Sequence, residues 1–448
     1  MNLRASTAGV TACAVIGLVA PHAVAKGPDE PPADVQQPGL ALRPGGWSYF
    51  ADPRAMRYAG ADHAAWATMD GRIQIAKLSG KAVRVDTLAD GLKPDDHSSP
   101  ALALLPGGPL AAFWSPHLPQ KRSGTDAMYY RVRVHGSWGR RHKIATNSRG
   151  QFGYAYPNPV RVGRRLMLFW RGGNYQPTYS ATRNGRTWSD ARTLLTGPQI
   201  GTKHPNRRER PYVKYYGDRG IVHVAYNEAH PSRRATSLFY VRMRGSRIVD
   251  ADNVLIGHRP LRWDQGSEIY SGDEGSAWVM DVAATTEGSP VIVYIREKGR
   301  RAVQYRYVTW KDGAWQDRAI CTSERLRRNG SYPGGLTIDH RDPRIVYVSR
   351  KVDSRFEIEA WATADSGETW AREPLTTKSE TDSIRPTSAL GGSTVLWMSG
   401  TYAHYTRFNT RIVMAEARAR AEKRRTRRKR AAHGDHAGRA QRPGRRGD

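Results

Sequence analysis

The chain has two cysteines, Cys13 and Cys321, and only Cys321 lies beyond the first twenty-five residues. A lone thiol forms no internal disulfide, so a mature chain without that leader must be held by burial, which a domain of this size can supply. Long apolar runs are missing too; the one sustained run, about Ala8 to Ala20, is too short to span a bilayer stably. No glycine-rich loop follows a strand and opens a helix, which leaves nucleotide binding without support. Acid is in short supply, with 41 Asp and Glu against 71 Lys and Arg and a formal net charge of +30. Such a surplus suits polyanionic partners.

What is abundant points elsewhere. Tyr, Trp, Val, Gly and Pro are spread evenly, while helix-favouring runs are scarce. That mixture suits many short strands joined by turns and predicts an all-β fold.

The two ends differ from the middle. Arg4, the apolar run and Ala23-Val24-Ala25 have the layout of an export signal over 1–25, so the protein is expected to be secreted. Residues 26–45 read as a Pro-rich linker. From 416 to 448 thirteen Arg or Lys face four acids, including Arg424-Arg425-Thr426-Arg427-Arg428-Lys429-Arg430. This basic tail is expected to be disordered and to contact an anionic cell envelope, with no specific nucleic acid as partner.

Between the ends, over 46–415, one unit recurs. A polar residue beside a proline opens it; two apolar strands follow, and a hairpin with Gly and often Trp closes it. The openings are Asp52-Pro53, Ser99-Pro100, Asn158-Pro159, Arg210-Pro211, Tyr332-Pro333 and Arg385-Pro386, with a further unit from Val279-Met280-Asp281-Val282. Seven such units predict a seven-bladed β-propeller of four-stranded blades. Thr363-Ala364-Asp365-Ser366-Gly367-Glu368-Thr369-Trp370 is a complete Asp-box, whose Asp caps a turn and whose Trp packs between blades. The last unit is short of its outermost strand, and Trp47-Ser48-Tyr49-Phe50 is expected to complete it, joining the two ends and removing an exposed edge.

In such a blade the start of strand one and the end of strand two share a face. In units two to four these places hold Asp95-Asp96-His97 and His117, then Tyr154, Tyr156, Asn158 and Arg171, then Arg210, Tyr212, Lys214, Asn227, Glu228 and His230. Imidazoles, phenols and cations should therefore converge on one mouth of the channel. Elimination at C4 of a uronic acid needs these types: cations (Arg171, Arg210) to neutralise the carboxylate, a base for the C5 proton and an acid for the leaving oxygen. Hydrolysis would call for paired carboxylates from Asp95, Asp96 and Glu228, but a site this cationic would keep both ionised. A metal on Asp-Asp-His is disfavoured because adjacent acids on an extended chain point in opposite directions.

Five segments carry a resemblance: Phe50-Ala51-Asp52-Pro53-Arg54, Asp95-Asp96-His97-Ser98-Ser99-Pro100-Ala101, Tyr156-Pro157-Asn158-Pro159-Val160, Phe169-Trp170-Arg171-Gly172-Gly173 and Arg210-Pro211-Tyr212-Val213-Lys214-Tyr215. Together they resemble the BNR-repeat propeller family that includes ulvan lyases and L-rhamnose-α-1,4-D-glucuronate lyases. The resemblance implies that His97 and His117, twenty residues apart, are active-site histidines, that Tyr156 is a catalytic tyrosine and that Arg171 neutralises a carboxylate. It also implies that Arg210 is a second substrate-binding arginine. The family's Asp-Gly-His-Pro segment reads Glu228-Ala229-His230-Pro231 here, and the Arg-Ile-Pro motif of sialidases is replaced by Asp52-Pro53-Arg54.

The resulting expectation is a secreted, monomeric polysaccharide lyase acting beside a glucuronate-type residue, at a rhamnosyl-glucuronate link above others. His97 is taken as the base with Tyr156 or His117 as the acid, the roles being exchangeable. Arg171, Arg210, Tyr212, Lys214, Asn227 and His230 are taken to bind substrate. No catalytic metal or cofactor is required, with room left for a structural calcium ion. The alternatives are an α-L-rhamnosidase-like hydrolase on the same link and a non-catalytic carbohydrate-binding propeller.

Overall fold

The computed structural model describes residues 41–416 apart from 80–81, 118–126, 147–153, 202–207, 299–301 and 327–331. The expected leader, residues 26–40 of the expected linker and the basic tail beyond Glu416 lie outside the described residues. No helix among the described residues is long and apolar enough to cross a membrane.

Seven antiparallel sheets form the seven blades of a propeller, numbered one to seven in chain order. Blade three shows the plan: Ala155–Val162, Arg165–Arg171, Pro177–Thr182 and Arg192–Thr193 lie side by side from the axis outward. Blade four has its outer position divided, with Arg247–Val249 and Ser267–Tyr270 pairing different parts of Leu238–Arg244. A short parallel pair, Leu195–Thr196 with Leu261–Arg262, joins the outer parts of blades three and four.

The second strand of each blade reads as a continuous apolar run because neighbouring blades cover both of its faces. In blade three, Leu168 and Trp170 pack toward blade two with Phe113 and Tyr130, while Phe169 packs toward blade four with Val224 and Phe239. The alternation of strand side chains thus turns each run into two inter-blade contacts. The Asp-box pins blade six to blade five. Asp365 accepts the Thr369 N–H at 2.9 Å, and Gly367, at φ +94°, donates its N–H to the Thr363 hydroxyl at 2.8 Å. Trp370 meets Tyr307 edge-on at 5.2 Å and donates Nε1–H to the Ala319 carbonyl.

The ring closes by pairing the chain ends, but not through the residues expected from sequence. Ala41–Pro44 is the outermost strand of blade seven, paired with Arg407–Glu416. Trp47-Ser48-Tyr49-Phe50 turns into the centre of the ring instead. Its large rings gain more by burial there than on an outer edge, and Trp47 is fully buried. The closing strand therefore comes from the segment read as linker.

Candidate active site

Strand register places the chemistry-bearing residues on one face. Ala155 pairs with Arg171 and Tyr212 with Asn227, so the start of strand one and the end of strand two meet, as expected from the repeat. A pocket at this mouth of the channel is lined by residues including Asp96, His97, Tyr156, Tyr212, His230 and Trp278.

Asp95, Asp96 and His97 sit in a single 3-10 turn, not on an extended chain. Asp95 caps this turn by accepting the His97 N–H. The turn brings both carboxylates to one ring: His97 Nδ1 lies 2.8 Å from Asp95 Oδ1 and 2.9 Å from Asp96 Oδ1. The expectation that adjacent acids point apart fails here. The second oxygen of Asp95 lies 2.6 Å from His117 Nδ1, so one carboxylate sets the tautomer of two stacked rings whose centroids are 4.3 Å apart.

The shared carboxylate leaves the two histidines in opposite charge states. Burial opposes charge on His97, but Asp96 and the hydrogen bond to Asp95 outweigh it and hold the ring above the ordinary imidazole value. His117 is pushed down to about 4 by burial and by the charge of its neighbour His97. His97 is thus a cation over a range where His117 is a neutral base. Asp96 is itself held ionised despite its burial, with Arg385 Nη1 at 2.6 Å from its Oδ2 and the Tyr402 hydroxyl at 2.6 Å from the same oxygen.

Tyr156 faces this pair, its ring 5.3 Å from that of His97. A bulge between Ala155 and Asn158 and a left-handed φ of +65° turn it out of the strand. Such a conformation costs about 1–3 kcal/mol and needs a clamp. Asn158 supplies one, its Nδ2 donating to the carbonyls of Tyr156 and Phe50 at 2.8 and 2.7 Å. Burial holds the Tyr156 phenol well above its ordinary value, so the hydroxyl carries its proton.

Arg171 lies over the Tyr156 ring at 4.5 Å and over Tyr175 at 5.6 Å; Arg210 covers Tyr175 at 4.3 Å. Arg171 is 5% exposed, and among the described residues it forms no ion pair, while its Nε and Nη2 have no hydrogen-bond partner. Tyr212 continues the cluster 6.2 Å from Tyr156, with His230 a further 5.1 Å on and pushed down to about 4 by burial and nearby arginines.

Two of the expected substrate-binding residues are committed elsewhere. Lys214 is buried, with Nζ 2.5 Å from Asp52 Oδ2 and bonded to the Tyr49 carbonyl. Asn227 is buried, donating to the Ser237 carbonyl at 2.5 Å and accepting the Val279 N–H at 2.7 Å. The charge of Lys214 is spent inside the ring, and the Asn227 amide ties blade four to blade five. Neither reaches toward a ligand.

Sequence reasoning also missed residues from the far side of the ring. Tyr405 meets His97 edge-on at 4.6 Å, and its carbonyl accepts the Asp96 N–H. Tyr49, Tyr332, Arg385 and Tyr402 line the pocket. Tyr332 and Arg385 carry the same signal as Arg210, a side chain just before the proline that opens a blade.

Asp95, His97 and His117 offer ligand atoms within 4.8 Å of one another. Both ring Nδ1 atoms already bond Asp95, so a cation there would displace those protons. The nitrogen-rich set would suit a transition metal.

The sequence matches the profile of the BNR repeat-containing family over residues 61–323, more than half of the chain. The chain belongs to the BNR repeat-containing family. A PL25 ulvan lyase, solved bound to -[GlcA(1-4)Rha3S]-, superposes on this BNR-repeat protein with a TM-score of 0.61 at 13% sequence identity, covering 84% of this chain and 94% of that one. The polysaccharide lyase Uly1 gives a TM-score of 0.52 at 12% identity, covering 86% and 95%. These likenesses show a shared fold. No curated protein matches the sequence.

Proposed function

We propose that this BNR-repeat protein is a secreted polysaccharide lyase that cleaves beside a glucuronate-type residue by β-elimination, with a rhamnosyl-glucuronate link as preferred substrate. The observation that carries this reading is Arg171, a buried guanidinium with no carboxylate partner, stacked on the tyrosine that faces the histidine pair. A buried unpaired charge is costly, and a substrate carboxylate would supply the missing partner with two charge-assisted hydrogen bonds. Neutralising that carboxylate makes the C5 proton removable.

The charge pattern supports one arrangement of the roles left exchangeable by the sequence. His117, neutral with Nδ1 held by Asp95, presents Nε2 as the base for the C5 proton. The C5–H electrons form the C4–C5 double bond as the C4–O bond breaks, and the leaving oxygen takes a proton from the Tyr156 hydroxyl or the His97 imidazolium. Arg210 and His230 extend the surface on which neighbouring sugars lie.

Hydrolysis is less well served. Asp95 and Asp96 are both held below the ordinary carboxylate range, and Glu228, pushed up to about 7 by burial, is occupied in accepting the Ser237 N–H at 3.1 Å. One assay decides. Incubation with rhamnosyl-glucuronate glycans and with ulvan should produce an ultraviolet-absorbing unsaturated uronate. Released sugar without absorbance would make the protein a hydrolase, and binding without either product would make it a carbohydrate-binding propeller.

A further inference from the structure

The face opposite the pocket has a charge feature that the elimination site does not use. In blade three the turn between strands one and two carries Arg161, Arg164 and Arg165. Leu166 pairs with Thr182, which sets Arg165 beside Arg183 at the same end of the blade. In blade four Ile221 pairs with Arg244 and Arg244 with Arg247, again at the end away from Tyr212 and Asn227. The blades touch at this end, because a Cβ on Gly217 would come within 2.4 Å of the Arg161 carbonyl.

All six arginines are exposed, and none forms an ion pair among the described residues. The acid of these turns, Asp218, is already taken by Arg219. Blade six provides the contrast on the same face. Its corresponding turn has Asp339 at 2.9 Å from Arg341 and Asp342 at 2.8 Å from Arg344, so each cation is neutralised within two residues. Like charges set side by side across a sheet repel, and only an external anion relieves the cluster on blades three and four.

We propose that these arginines form a second binding site for a polyanionic polysaccharide, separate from the pocket and on the opposite face. Guanidinium forks match the carboxylate and sulfate groups of such a chain. Beside arginine these turns hold Gly, Asn, Ser, Val and the paired Asp218, with no exposed aromatic ring, so they lack the stacking platform of a single-stranded nucleic-acid site. A polymer held here leaves the pocket open and tethers the protein to an acidic matrix. Binding at these arginines does not depend on any reaction in the pocket.

Heparin serves as the probe, with the full chain and its variant Arg161→Ser/Arg164→Ser/Arg165→Ser/Arg183→Ser. The variant should bind about tenfold more weakly and leave a heparin column at lower salt, while His97→Ala should be retained like the parent. In the parent, a heparin oligosaccharide should slow hydrogen exchange at 159–166 and 181–184. Unchanged elution of the variant, or protection confined to the pocket or to residues 416–448, overturns the site. Tighter binding of a single-stranded oligonucleotide of equal charge overturns the polysaccharide in favour of nucleic acid. The exchange arm uses only the parent protein, so it decides even if the variant fails to fold.

Discussion

Arg171 on the blade-three side of the pocket and Arg385 on the blade-seven side are built alike and used differently. Both are almost fully buried and both are wrapped by tyrosines: Tyr156 and Tyr175 around the first, Tyr49, Tyr402 and Tyr332 around the second. Arg385 has a carboxylate at 2.6 Å and the Trp47 carbonyl at 2.5 Å. Arg171 has neither. A buried cation with its partner in the chain is part of the scaffold, whereas one without a partner is poised for an anion from outside. Arg385 also acts on the proposed chemistry at one remove, since it helps keep Asp96 ionised and Asp96 raises His97.

The largest effect that would sharpen this contrast is loss of stability in Arg385→Met. It leaves buried Asp96 with only the His97 ring and the Tyr402 hydroxyl against its charge and should cost about 3–5 kcal/mol, read from the denaturant midpoint. A variant as stable as the parent would remove Arg385 from the scaffold. Arg171→Met should do the reverse, leaving stability within about 1 kcal/mol while lowering kcat/KM by roughly 10²–10³-fold. Should it unfold with activity per folded molecule unchanged, the comparison breaks.

The two histidines invite a finer test. If His117 is the base and His97 the cation, kcat/KM should rise as pH passes about 4 and fall as His97 loses its proton above the ordinary 6.5. Asp96→Asn removes the charge that raises His97, so the falling limb should move to lower pH while the rising limb stays. Their stability terms have opposite signs. His97, raised in the fold, contributes stability fully below 6.5 and loses it as pH climbs through its folded value. His117, depressed, loses stability as pH drops from 6.5 toward 4. Thermal unfolding of His117→Ala should therefore show a shallower decline between 6.5 and 4, the remainder coming from His63, His223 and His230, which burial also pushes down, and an unchanged decline would remove His117 from it.

The smallest expected effect lies far from the pocket. Trp370→Ala removes the Asp-box contact with Tyr307 and should cost about 1–3 kcal/mol with kcat/KM unchanged. A loss of activity at equal stability would show that blades five and six shape the site more than their position implies.

Much of the site was legible because its signals are local. His97 and His117 flank the two inner strands of blade two, and Tyr156 and Arg171 hold matching places in blade three, so counting repeats was enough to bring them to one face. Lys214 and Asn227 were misjudged by the same rule. Their position was right, but Asp52 and the Val279 N–H, which claim them, lie 162 and 52 residues away. Trp47–Phe50 had the pattern of a strand, and only the vacancy at the centre of the ring sent it inward.

By itself the sequence determined the seven-fold repeat, the face on which imidazole, phenol and guanidinium groups gather and the residue types found there, because strand alternation and proline-marked openings act over a few residues. Tertiary structure decided which histidine is charged, which arginine is left unpaired and which strand closes the ring. Those outcomes depend on charges and surfaces meeting across hundreds of residues, as Asp96 and Arg385 do at a separation of 289. A local pattern does not specify such partners.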